Sequence, residues 1–241
     1  MENYIFIIGC GHSGTTIINK IMGNHKDIYG IPNESRFLNN GEKQIKTTLA
    51  AFDKERKKAN KRYVCEKTPK HVYHIKEMFA YTIKPKIIVV IRDGRDVASS
   101  LKKRFGNIEH GINRWIQDNN VWLHNEHKNE FHIVKYENFV NDPAKEMSRI
   151  CKFLDVEYYD ELLQYNTKEV RLPEKFFDGL INDNKHTLLR QHQTNKPIYN
   201  GSNRWQKDLS KKEIDSMYSN KEFCKMMIQF EYSSDDAIPN L

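Results

Sequence analysis

Residues 4–22, YIFIIGCGHSGTTIINKIM, constrain the fold of this chain more than any other stretch. Tyr4–Ile8 is a short, unbroken apolar run rich in aromatic and β-branched residues, the pattern of a strand buried on both faces of a parallel sheet. In the tight turn that follows, Gly9, Gly11 and Gly14 permit backbone conformations and close approaches that a Cβ would forbid. Ile17, Ile18, Ile21 and Met22 then form a helical apolar stripe, so a helix opens near Gly14. The first N–H groups of a helix have no partner within it, and its dipole favours an anion at that end. The spacing predicts a phosphate cradle, although an ordinary Gly-containing βα turn shares its outline.

Gly9, Gly14 and Thr15–Thr16 come close to a Walker A loop, but the lysine expected before the final Thr is itself a Thr. Without that lysine nothing in the loop neutralises the β- and γ-phosphates of a nucleoside triphosphate. No strand ends in the apolar run plus Asp that would hold magnesium. An ATPase is disfavoured and the anion cradle survives.

A second cradle is expected downstream. Lys86–Ile91 (KIIVVI) reads as another buried strand, followed by Arg92-Asp93-Gly94-Arg95-Asp96 and a helix carrying Val97, Leu101 and Phe105. If both strands share one parallel sheet, both turns emerge at its carboxyl edge, where open α/β sheets bind ligands. Arg92 then stands at the strand end with Ser100 in the second helical turn, a guanidinium and a hydroxyl matched to a phosphate monoester. Taken alone, RDGRD also reads as a salt-bridged turn. Two cradles on one edge imply a ligand with two separated anionic groups.

The pair Gly11-His12-Ser13-Gly14-Thr15-Thr16 and Ile91–Arg95 through Ser100 resembles the two signatures of PAPS-dependent sulfotransferases. Three further matches follow in order: Glu66-Lys67-Thr68-Pro69 after the strand Arg62–Cys65, Lys135–Phe139 after the strand Phe131–Val134, and Asn203–Ser210 near the C-terminus. Together they span residues 4–210. The resemblance implies an α/β three-layer fold with a central four- or five-stranded parallel sheet between helices. It implies that the first loop (Gly11, His12, Ser13, Gly14, Thr15, Thr16) holds the 5′-phosphosulfate of PAPS and that Arg92 and Ser100 hold the 3′-phosphate. Arg204 and Trp205 are expected to close over the nucleotide. PAPS is the implied sulfuryl donor, PAP the product, and no metal is required.

Sulfuryl transfer is an in-line displacement in which charge moves to the leaving phosphate oxygen, so a positioned cation lowers its barrier. Lys67, expected just after a strand end, is the candidate, and the resemblance places a catalytic lysine in the corresponding turn. The acceptor hydroxyl needs a base within hydrogen-bond reach. Glu34 is assigned that role, since Glu34-Ser35-Arg36 resembles the Glu-Thr-Arg of tyrosylprotein sulfotransferases; Arg36 would orient it or contact the cofactor. A Glu beside a helix cap is the plainer alternative. The resemblance leans toward the tyrosylprotein and carbohydrate branches over the small-phenol enzymes. His12 departs from the family, which usually has Lys or Arg there. An anion beside an imidazole raises its pKa, so His12 is read as a cationic or hydrogen-bonding donor to the leaving oxygen.

At 241 residues the chain reads as one domain, 1–241, with acceptor recognition and a lid at about 155–204 and a frayed tail at 231–241. The N-terminus enters a strand by residue 4 and no apolar run reaches membrane length, so no signal peptide or membrane anchor is expected. Cys10, Cys65, Cys151 and Cys224 are far apart, read as core thiols, and fit a reducing, cytoplasmic setting. The net charge of +7 suits an anionic cofactor and an acidic, hydroxyl-bearing acceptor. Lysines scattered among glutamates, with no basic-aromatic stripe, argue against nucleic acid. His71/His74 and His124/His127 have metal-compatible spacing without a third ligand in pattern.

Helices are expected over 40–61, Lys70–Tyr81, Glu109–Lys128, from Asp142-Pro143 to Leu154, and over Lys211–Phe230. The function that follows is transfer of a sulfuryl group from PAPS to a hydroxyl of a carbohydrate, a peptidyl tyrosine or another alcohol. A P-loop-related nucleotide kinase and a non-catalytic nucleotide-binding protein of the same fold are the alternatives.

Overall fold

The computed structural model describes residues 2–167 and 198–233. Its strands are β1 (Tyr4–Gly9), β2 (Ile28–Gly30), β3 (Tyr63–Lys67), β4 (Lys86–Ile91) and β5 (His132–Lys135). They form one five-stranded sheet in the order β2-β3-β1-β4-β5, and every pairing is parallel. Seven helices accompany the strands: α1 (Thr15–Gly23), α2 (Glu42–Lys58), α3 (Ile75–Tyr81), α4 (Gly94–Phe105), α5 (Ile108–Leu123), α6 (Tyr136–Asn141) and α7 (Pro143–Leu154). Further helices among the described residues run over Trp205–Asp208, Lys211–Ser219 and Lys221–Gln229.

The two-residue period of the central strands sends alternate side chains into two cores. Tyr4, Phe6 and Ile8 of β1 and Ile87, Val89 and Ile91 of β4 pack with α2, α3, α4, α5 and the C-terminal helices on one face. Ile5, Ile7, Ile88 and Val90 pack with α1, α6, α7 and the turn at Leu162 and Tyr165 on the other. Each fully buried Ile, Leu, Val or Phe stabilises by about 1.5–3 kcal/mol, so this double-faced burial fixes the register of the sheet. The connection after β1 runs to β2 on one side and the connection after β4 runs to β5 on the other. The carboxyl ends of β1 and β4, paired at Gly9 and Val90, therefore flank the switch-point crevice.

Several boundaries differ from the sequence expectation. β3 runs to Lys67, not to Cys65, so Lys67 is the last strand residue rather than part of the turn after it, and it pairs with Ile7. The segment expected as one helix at 70–81 starts as a 3₁₀ turn, Pro69–His74, because Thr68 before the proline is extended. Helix α5 ends at Leu123, short of Lys128. The helix expected over Lys211–Phe230 breaks at Asn220, whose side chain accepts from Phe223 N at 3.0 Å and caps the next helix. Tyr136–Asn141 is a helix, not a turn. Residues 168–197 of the expected lid region and the tail beyond 233 lie outside the described residues. Among the described residues no helix is long and apolar enough to cross a membrane.

Candidate active site: two anion cradles and a Glu–Lys pair

The first loop turns sharply, with Ser13 N donating to Cys10 O at 3.3 Å and His12 in the left-handed region (φ 72°). Gly14 is also left-handed (φ 94°), and a Cβ there would lie 2.5 Å from Cδ2 of Tyr136. Only glycine gives both the backbone conformation and the room for that ring. Helix α1 opens at Thr15, which is buried, with Thr16 half-buried beside it. The free N–H groups of its first turn face the crevice end of the helix, as an anion site requires.

The second cradle is built on the end of β4 and the start of α4. Asp93 caps α4 by accepting from Arg95 N at 2.8 Å, and the Arg95 guanidinium returns to the same carboxylate at 2.6 Å. RDGRD is thus a salt-bridged turn, the plainer of the two readings of that stretch. Trp115 Nε1 donates to the Arg92 carbonyl at 3.0 Å and fixes the strand end. The Arg92 guanidinium lies 4.2 Å over the Tyr136 ring and donates to His12 O (3.1 Å) and Gly201 O (2.6 Å).

His12 joins the two cradles. Its carbonyl takes Arg92 Nη1 and its Nδ1 lies 2.9 Å from Ser100 Oγ. His12, expected on the phosphosulfate, is therefore hydrogen-bonded to both Arg92 and Ser100, expected on the 3′-phosphate. The C-terminal segment docks on the same cradle through Asp96, a buried carboxylate that accepts from Asn203 N at 2.9 Å and Trp205 N at 3.0 Å. Arg95 stacks 4.5 Å from the Trp205 ring. Arg204, expected to close on the nucleotide, is exposed at the start of the Trp205–Asp208 helix, its carbonyl accepting from Lys207 N and Asp208 N, and its side chain makes no hydrogen bond among the described residues.

Four buried polar atoms in this region have no hydrogen-bond partner among the described residues: Ser13 Oγ, Arg92 Nε, Ser202 Oγ and Trp205 Nε1. The guanidinium and indole nitrogens can only donate, and the two hydroxyls can donate as well. Buried donors left unpaired cost about 1–3 kcal/mol each, so their convergence on two loops fits an acceptor-rich, anionic ligand.

Glu34 and Lys67 also come together. Lys67, almost fully buried at the end of β3, donates to Glu34 Oε1 at 3.2 Å, and Arg36 lies 3.9 Å from the other Glu34 oxygen. Glu66 clasps the segments that carry both. Its Oε1 accepts from Ser35 Oγ (2.7 Å) and Thr68 Oγ1 (2.6 Å), its Oε2 from His71 Nδ1 (3.0 Å), and Thr68 Oγ1 in turn accepts from Arg36 N at 3.3 Å. Burial opposes the Glu66 charge, yet the His71 ring and these hydrogen bonds hold its carboxyl below the usual range.

Sequence reasoning missed Tyr136, Asp96 and Glu66 as parts of this site. Tyr136 and Glu66 stood inside motifs already singled out, and Asp96 inside RDGRD. Each acts through a long-range contact that no local pattern announces. Among the described residues no cluster of three His, Cys, Asp or Glu is placed to hold a metal.

Residues 45–161 match the family model described as the sulfotransferase family. No curated protein sequence matches the chain. Among solved structures, the sulfotransferase domain from the Synechococcus PCC 7002 olefin synthase superposes with a TM-score of 0.68 at 15% identity, covering 97% of this chain and 96% of that one. The sulfotransferase domain from the curacin biosynthetic pathway gives 0.61 at 16% identity, covering 97% and 99%. Mouse sulfotransferase SULT7A1 complexed with PAP gives 0.58 at 16% identity, covering 98% and 86%. The matched segment runs from α2 through both edges of the second cradle to the turn at Asp160, and the fold extends the likeness over the first loop. Residues 45–161, just under half of the chain, thus carry the sulfotransferase family pattern, and the chain shares the fold of these sulfotransferase structures over nearly its whole length.

Proposed function

We propose that this chain transfers a sulfuryl group from PAPS to an acceptor hydroxyl. The observation that carries this is the convergence of the unpartnered Ser13, Arg92, Ser202 and Trp205 donors on two linked cradles, with a Glu–Lys pair on the neighbouring strand end. Main-chain N–H groups of residues 11–16 and the Thr15 and Thr16 hydroxyls would hold the 5′-phosphosulfate. Arg92 and Ser100 would hold the 3′-phosphate, and Trp205 would cover the nucleotide. The mouse relative bound to PAP supports this choice of nucleotide.

Bound PAPS supplies the sulfuryl group, whose bond to the phosphate oxygen breaks as a bond to the acceptor oxygen forms. Glu34 takes the acceptor proton as its oxygen becomes nucleophilic. Protonation of Glu34 releases its ion pair with Lys67, leaving the ammonium free to face the charge that develops on the leaving phosphate oxygen. His12, fixed by Ser100, is the second donor at that oxygen. Acceptor identity rests with the loops around Glu34 and the segment beyond Asp155.

Calorimetric titration with PAP, against 5′-AMP and ATP–magnesium, tests the assignment. The expected result is tight PAP binding that depends on the 3′-phosphate and falls about a hundredfold in Arg92→Ala, the loss of a charge-assisted, bidentate contact. Lys67→Ala and Glu34→Gln should cut turnover while PAP affinity stays. Equal affinity for PAP and 5′-AMP would refute the proposal, and preference for ATP–magnesium would favour a kinase.

A further inference from the structure

Arg114 lies on α5, outside every motif used so far, yet its guanidinium reaches the first loop. A methyl group built on Gly11 would sit 3.7 Å from Arg114 Nη2. Its Nε donates to Asp118 Oδ2 at 2.6 Å, and neither terminal nitrogen makes a hydrogen bond among the described residues. Asp118 is fully buried and its other oxygen accepts from Tyr73 OH at 2.6 Å. The Cys10 thiol, neighbour of Gly11, is pushed well above its ordinary pKa by burial and then by the Asp118 charge, so it adds no charge of its own.

This is a built site. One oxygen of the carboxylate aims the guanidinium through Nε and the other is taken by the Tyr73 hydroxyl, which leaves the outer edge of a rigid fork unused. Gly11 carries no side chain that would cover that edge. Tyr73, from the 3₁₀ turn that follows Lys67 and packs against β1 and α5, is about half exposed (47%) and bonded to the same Asp118. The nucleotide contacts lie on the β4 side of the first loop, through Arg92, Ser100 and Trp205. Arg114 and Tyr73 meet the loop at Cys10–Gly11, next to the strand end that carries Lys67.

We infer that Arg114, aimed by Asp118, binds a carboxylate on the acceptor, with the Tyr73 ring against its carbon skeleton. The acceptor is then a hydroxy acid. A bidentate guanidinium–carboxylate pair in a partly desolvated cleft discriminates strongly between an acid and its neutral amide. The inference rests on the nucleotide reading above, because the acceptor must meet a sulfuryl group held by the first loop.

Saturation-transfer NMR on the PAP complex, which needs no turnover, tests it with 4-hydroxyphenylacetate against 4-hydroxyphenylacetamide and 3-hydroxybutyrate against 3-hydroxybutyramide. In at least one pair the acid should bind about tenfold or more tighter than the amide, the range of a charge-assisted hydrogen bond. Arg114→Gln should erase that preference and Arg114→Lys restore part of it, with PAP affinity unchanged as the check on folding. Equal binding of acid and amide in both pairs, or a preference that survives Arg114→Gln, overturns the inference. So does a loss in Arg114→Gln that strikes acid and amide alike, which would assign the guanidinium to the sulfuryl group. Loss of the 3′-phosphate requirement in the unmodified chain would instead sink the nucleotide reading itself.

Discussion

Replacing Glu66 by Gln removes one charge from the clasp beneath Glu34 and Lys67 while keeping its shape. Two hydroxyls, from Ser35 and Thr68, donate to one oxygen of the native carboxylate. A hydrogen bond to a charged group contributes about 1.5–3 kcal/mol and a neutral one about 0.5–1.5 kcal/mol, so these two bonds together weaken by about 2 kcal/mol. On the other side, His71 Nδ1 must carry the proton that it donates to Glu66, since a carboxylate only accepts. An amide NH₂ placed there forces the ring to move its proton to Nε2, a buried atom with no partner, which costs a further 1–2 kcal/mol or about that. The total of about 3–4 kcal/mol should lower Tm by about 10 °C in a chain of this length. Turnover should fall too, because Ser35 and Thr68 adjoin Glu34 and Lys67, whereas PAP affinity should hold. Acid adds a second signature. The folded pKa of Glu66 is depressed, so its contribution is complete above the unfolded carboxylate value of about 4.3 and disappears as pH falls through the folded value. The stability gap between native chain and variant should therefore narrow as pH falls below about 4. Calorimetric melts across that range decide it. A Tm within about 2 °C of the native chain, or a gap that does not narrow in acid, would refute the clasp.

Gly14→Ala should lower stability by about 2–3 kcal/mol, through its left-handed backbone and the Tyr136 ring 2.5 Å from the new Cβ; a denaturant midpoint unchanged by the substitution would contradict this. Tyr136→Ala in the same background should recover only part of the loss, since the backbone strain remains. All four thiols are buried and carry raised pKa values, Cys151 by burial to about 11. Ellman's reagent at pH 8 should therefore label the folded chain slowly and the urea-unfolded chain at once; rapid labelling of one thiol in the folded state would show an opening not visible here.

The strands and the strand–turn–helix units after β1 and β4 were legible because their signals are local. An unbroken apolar run, a glycine turn and a helical stripe each announce themselves within a dozen residues or so. What stayed hidden depends on partners far away in sequence. Lys67 was expected in a turn, but the parallel pairing with Ile7 carries β3 through it. The helix expected over Lys70–Tyr81 begins as a 3₁₀ turn because Pro69 follows an extended Thr68. His12 was read as a substitute for a cation. Its ring and carbonyl also tie Ser100 and Arg92 to the first loop, a role that appears only once β1 and β4 lie side by side. Arg114 gave no signal at all, because a helix pattern shows which face is polar and not what that face reaches.

The three tryptophans differ in a way that equips the chain with its own optical reporter. Trp115 and Trp122 are sealed in the core, with indole nitrogens bonded to Arg92 O and Asn119 Oδ1. Trp205 is half-buried, stacked on Arg95, and its indole N–H has no partner among the described residues. Filling the cradle changes the polarity around this one fluorophore and leaves the other two as a constant background. Emission should shift on adding PAP, and the shift should vanish in Trp205→Phe. Nucleotide occupancy would then be read in real time from unlabelled protein, during turnover as well as at equilibrium.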